Sequence, residues 1–164
     1  MPPFFDRYIN LVEDIDILEG FAKYAPEKVI TDMDKLSALG DSVYGPGKWT
    51  IRDILQHIID NERIMAYRAL RFARNDQTVL PGYHEDIFAA HTMASQRSVD
   101  DLIEEFDLVR RSTVKLFQNM DDAMISRYGN ANQTQISPLA LGFVILGHPL
   151  HHMNVIRERY FPLL

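Results

Sequence analysis

Three of the chain's six histidines fall within the short segment Gly147-His148-Pro149-Leu150-His151-His152. Residues four apart on an α-helix lie about 40° apart in projection, so His148 and His152 present two imidazoles to one side. Two imidazoles on one helix face are the chemistry behind the HExxH pair of helical metal sites. This segment is not HExxH, because Pro149 stands where the glutamate would be. His148 with His151, three residues apart, is the alternative pair. A further ligand must come from elsewhere, and His57 is the best candidate. It lies among Ile54, Leu55, Ile58 and Ile59, on a segment directed to the core. Three neutral histidines leave a coordination position free for water or substrate, which a catalytic centre needs. A plainer reading competes. A lone histidine on an apolar helix is more often a satisfied core residue, and a pair four apart can be a chance surface feature. Spacing alone does not make two helices converge.

Other residues around this frame carry weaker signals. From His57, Asn61 lies about 40° round the helix and Asp60 about 60° the other way. Both are candidate catalytic residues at the mouth of a metal pocket, Asp60 as a partner to an imidazole or as a general base on metal-bound water. The alternative is an ordinary polar helix residue. Glu62 projects about 140° from His57, which predicts a salt bridge rather than ligation. Arg159, seven residues after His152, is placed to meet an anionic substrate group, although an arginine in a last turn more often serves the helix C-terminus. Arg68, Arg71 and Arg74 recur every three residues, a pattern that a solvated, acid-paired face explains as well as an anion site. Tyr67, Tyr83 and Phe88 read as packing residues. No phosphate-binding glycine loop and no nucleophile elbow is present.

Four long helical patterns must position these residues. The first runs from about Phe4 to Tyr24 on an apolar stripe of Tyr8, Leu11, Val12, Ile15, Leu18 and Phe21, ended by Pro26. A short helical turn follows near Asp32 to Leu39. The second pattern starts at Thr50, an N-cap with Asp53 three residues on, and continues to about Arg74. Trp49 precedes the cap and is placed to pack on Ile54. A long connection, Asn75 to Arg97, contains Pro81-Gly82 and a candidate short helix near Asp86 to Met93. Ser98 caps the third pattern, which reaches about Gln118. The fourth begins at Ser137 with Pro138 at the first helical position and continues to about Tyr160. Pro149 lies inside it and should kink it or loosen a turn. No period-two pattern competes, so the expected fold class is all-α: a single domain over residues 1–164, built as a four-helix bundle with a long crossover between helices 2 and 3.

Composition narrows the function. The 164 residues carry a net charge of −6, a surface that does not attract a polyanion, so no nucleic-acid partner is expected. With no cysteine, disulfides, thiolate metal sites and a protein-borne nucleophilic thiol are excluded. The start, Met1-Pro2-Pro3-Phe4, lacks the pattern of a signal peptide, and the apolar stretch Ser137 to Leu150 is too short to span a bilayer. The expectation is a soluble, cytoplasmic protein with no membrane partner.

Taken in order, several segments resemble one family. They are GPGKWTI at 45–51, HIIDNER at 57–63, YRAL at 67–70, LPG at 80–82, GNAN at 129–132, GHPLHH at 147–152 and IRERY at 156–160. In this order and spacing they are similar to the DinB/YfiT-like superfamily. The resemblance implies a four-helix bundle with a long crossover, often a homodimer. It also implies three histidine ligands, one from the second helix and two from the fourth, which fall here on His57, His148 and His152. The expected function is therefore a metal-dependent enzyme acting on a small-molecule substrate, with Zn, Ni or Fe as the divalent ion. Hydrolysis through metal-bound water comes first. The resemblance also covers transferases of low-molecular-weight thiols, and a non-catalytic, metal-stabilised binding or stress-associated protein is the rival from another class. Two positions depart from the family pattern. Pro149 replaces a good helix former, and His84 stands where an acidic residue is more usual; it reads as a loop surface residue rather than a fourth ligand.

Overall fold

A computed structural model describes residues 5–164. The chain runs through α1 (Asp6–Ile9), α2 (Ile17–Lys23), α3 (Pro26–Val29), α4 (Met33–Leu39), α5 (Ile51–Ala73), α6 (Glu85–Ala89), α7 (Val99–Phe117), α8 (Asp122–Ile125), β1 (Gly129–Ala131), β2 (Thr134–Ile136) and α9 (Pro138–Val155). The long helices α5, α7 and α9 pack with the N-terminal arm α1–α2 as a four-helix bundle, and residues 74–98 cross over between α5 and α7.

The caps follow the sequence. Thr50 and Asp53 form a reciprocal capping box at the start of α5. Ser98 and Ser137 each accept a backbone N–H at the third position of their helices, α7 and α9. The first pattern departs from expectation: one helix to Tyr24 is replaced by two. Asp16 takes an extended backbone and its carboxylate accepts from the amides of Leu18 and Glu19, which starts α2 afresh. An acidic side chain that caps competes with helix continuation, and the apolar spacing does not register this. The Phe4 end of the expected helix lies outside the described residues.

The expectation of no strands also fails. β1 and β2 form a hairpin in register Ala131↔Thr134, with positive φ at both Asn132 and Gln133, the geometry of a two-residue primed turn. Leu80 from the crossover joins its edge, donating to Asn130 and accepting from Asn132 at 2.9 Å each. Strands of three residues are too short to display alternation.

Two apolar clusters fill the bundle. One gathers Met65, Phe72, Phe117, Leu141 and Leu146; the other gathers Leu36, Ile51, Ile58, Phe106 and Met153. Each fully buried side chain of this size stabilises the fold by roughly 1.5–3 kcal/mol. Along α5, α7 and α9 the clusters are separated by a buried polar layer of Asn61, Glu62, Arg110 and His148. Glu62 and Arg110 are only 2% and 3% exposed, and their side chains meet through N–O contacts of 2.9–3.2 Å. This is the salt bridge expected of Glu62. Arg110 also donates to the carbonyl of Tyr24 at 2.9 Å, tying in the end of α2.

By length and composition, Pro138–Leu163 is apolar enough to cross a membrane. In the fold it packs against α1, α2 and α5, with 56% of its most apolar stretch buried, as expected of a core helix. It stays helical through Pro149, then widens to a π-helical turn at Ile156–Tyr160.

Candidate metal centre

Helices α5 and α9 bring His57, His148 and His152 together. The Nε2 atoms of His57 and His152 lie 3.0 and 3.1 Å from Nε2 of His148, and the three ligand atoms are all within 4.8 Å of one another. An imidazole nitrogen carries either one proton or one lone pair, so His148 Nε2 satisfies at most one of the two nitrogens facing it. A cation among them satisfies all three. Imidazoles bound to a divalent ion at about 2.0–2.1 Å place neighbouring nitrogens about 3.0–3.4 Å apart, and the two contacts to His148 fall in that range. The kink or loosened turn expected at Pro149 does not separate the pair, since α9 continues through it and His148 and His152 converge.

The three imidazoles are held in the neutral form that ligation needs. Burial pushes the His57 imidazole down to about 4 and holds His148 and His152 well below the usual histidine range, with the neighbouring imidazoles adding to the effect for both. Neutral rings offer the lone pairs that a metal takes. Rings hold them in place: Trp49 lies 4.8 Å from the His57 ring, and Tyr8 meets His148 edge-on at 5.1 Å.

Two cavities flank the triad. One, of about 230 Å³, is bordered by His57, His148, Asn61, Arg68, Tyr83 and Glu85; the other, of about 290 Å³, is bordered by His151, His152, Trp49 and Tyr160, and by Glu85 again. The triad is therefore bordered by open space, as a coordination position for water or a ligand requires.

The remaining candidates sort by position. Asn61 borders the first cavity and donates to the Tyr83 hydroxyl at 2.7 Å. Asp60 borders neither cavity. Its carboxylate accepts from Gln56 at 3.0 Å, approaches Arg63 at 3.9 Å, and faces a separate groove with Phe88 and His91. The turn of the helix that carries Asn61 inward carries Asp60 past the opening. His84 is exposed and outside the triad, and His151 packs against Tyr8 and His152 without joining the three. Arg159 is exposed and borders neither cavity. Arg71 pairs with Asp76, as a solvated face predicts, whereas Arg68 is buried.

Sequence reasoning missed Glu85, read Tyr83 as a packing residue, and left Arg68 open between a solvated face and an anion site. For Arg68 a signal existed: eleven residues after His57 is about 20° in projection, nearly the same helix face. For Glu85 none did, since it sits at the start of α6 on the crossover, where only tertiary packing fixes its place.

No curated protein matches the chain. Among solved structures, YfiT from Bacillus subtilis, described as a probable metal-dependent hydrolase with an unusual four-helix bundle topology, superposes with a TM-score of 0.58 over 96% of this chain and 89% of that one, at 18% identity. At that identity the likeness concerns the fold. The family model of the DinB superfamily matches residues 9–156, and the chain belongs to that superfamily.

Proposed function

We propose that the protein is a metal-dependent hydrolase whose divalent ion is held by His57, His148 and His152. The observation that carries this reading is the convergence of three neutral Nε2 atoms beside an open cavity. The description of YfiT as a probable metal-dependent hydrolase agrees with it. His57, His148 and His152 would hold the ion, which would supply Lewis acidity toward water and a substrate oxygen. The chain's own residues do the rest. Tyr8 and Trp49 fix the rings, Asn61 and Tyr83 supply polar edges along the cavity, and the Glu85 carboxylate is the group placed to take a proton. Imidazole suits Zn, Ni and Fe alike, so the donor set leaves the metal open among them.

Elemental mass spectrometry on protein expressed without a histidine tag tests the site. We expect about one transition-metal ion per chain, lost in His57→Ala, His148→Ala and His152→Ala. Hydrolysis of a panel of chromogenic esters and amides should then require that metal and fall in Glu85→Gln. A protein that takes up no metal overturns the reading, and so does full metal loading with no metal-dependent hydrolysis.

A further inference from the structure

We propose that the cavity beside the triad takes a small-molecule carboxylate, bound by Arg68 and oriented by Asn61, with the rest of the molecule extending toward His57 and His148. The proposal rests on the hydrolase reading for what happens to the bound molecule, but not for its charge.

Arg68 is 4% exposed and borders the cavity. Its guanidinium donates to the Pro81 carbonyl at 2.8 Å and lies 3.7 Å from the Met65 sulfur, both uncharged partners. Among the described residues no carboxylate pairs with it, in contrast to the other buried arginine, Arg110, which has Glu62. A buried, uncompensated charge is costly, and its presence at a cavity wall points to a partner that enters the cavity. Burial also presses its pKa down, which measures the same cost.

Asn61 supplies the second observation. It is buried, and its Oδ1 has no hydrogen-bond partner while Nδ2 serves Tyr83. A tyrosine hydroxyl both donates and accepts, so the amide can turn over and keep that bond. In either orientation one polar edge of Asn61 is left for a ligand.

The geometry sets the size. His57 and Arg68 are on nearly one face of α5, about 16 Å apart along its axis. The contact with Met65, one turn back, shows that the arginine reaches toward His57. The cationic and metal-binding ends are thus roughly 10 Å apart, the length of a small acyl compound. Glu85 borders the same cavity and Tyr83 senses both charges, Glu85 raising and Arg68 lowering its pKa. Glu85 also borders the second cavity with His152, which places it at the triad end, whereas Arg68 borders the first cavity alone. One unpaired cation matches one negative charge, a carboxylate rather than a phosphate dianion.

The test compares suberic acid monohydroxamate, which carries a metal-binding head and a free carboxylate, with its methyl ester on nickel-loaded protein by calorimetry. We expect the acid to bind about tenfold tighter or more, because a site built for a polar group rejects the analogue lacking it. In Arg68→Met the two should bind within about twofold, with the ester little changed, and Arg68→Lys should keep part of the preference. Equal binding of acid and ester to the wild-type protein overturns the proposal, as does a preference that survives Arg68→Met. Should Arg68→Met not fold, the wild-type comparison and Arg68→Lys decide. A chain that takes up none of nickel, zinc and iron refutes the hydrolase reading alone; monomethyl suberate against dimethyl suberate, followed by ligand-observed NMR on metal-free protein, then decides the carboxylate site.

Discussion

Arg110 approaches the backbone carbonyl of Ile145 at 3.5 Å, and that carbonyl is the one Pro149 deprives of its helical donor. Proline has no N–H to offer the residue four before it, so an interior proline leaves a buried acceptor unmet. Here a side chain from α7 fills the gap. The same guanidinium holds Glu62 on α5, so three helices are tied together at the level of His148. This is how α9 carries a proline between two metal-ligand candidates and remains a helix.

Glu62→Ala should destabilise the protein by about 3–5 kcal/mol, because it strands a buried guanidinium. Urea unfolding followed by circular dichroism measures this. A loss below about 1 kcal/mol would mean that the pair behaves as an exposed one.

Pro149→Ala restores the missing N–H and a good helix former, and should raise stability by about 1 kcal/mol while leaving metal content unchanged. The gain is smaller than proline's full cost because the restored donor competes with Arg110 for one carbonyl. If the variant folds but loses its metal, the proline itself sets His148 against His152.

Gly147→Ala should displace α1. A Cβ at Gly147 would lie 2.0 Å from the Tyr8 carbonyl oxygen, and a backbone atom has no rotamer by which to yield. We expect a loss of about 2–4 kcal/mol and weaker metal retention, since Tyr8 supports His148. Unchanged thermal unfolding in this variant would contradict the close crossing of the two segments.

The metal-free protein should lose stability on acidification. His57 titrates at about 4 in the fold against 6.5 for an unperturbed histidine, so the unfolded chain binds more protons between those values. His148 and His152 act in the same direction. Stability is therefore complete above pH 6.5 and falls as pH drops toward 4. Urea midpoints across this range check it; in His57→Ala the slope should be shallower, and equal slopes would refute the assignment.

The sequence by itself determined the long elements and their faces. Thr50, Ser98 and Ser137 announced α5, α7 and α9 because capping is a local interaction, complete within a few residues. The pairing of His148 with His152 was legible for the same reason, as helix periodicity places residues four apart together. Convergence of His57 on that pair came from family resemblance rather than spacing, and the structure supplies its geometry. Only the tertiary structure decided which neighbours share the cavity. Asn61 enters and Asp60 does not, because Tyr83 and Glu85 of the crossover border the cavity on Asn61's side, whereas Asp60 faces Ile87, Phe88 and His91 further along the same crossover. Arg68 is buried rather than solvated because Pro81 and Tyr83, distant in sequence, fold back over it. Burial, and with it charge and reactivity, depends on what packs across a residue, and that is a property of the fold rather than of the residue's place in the chain.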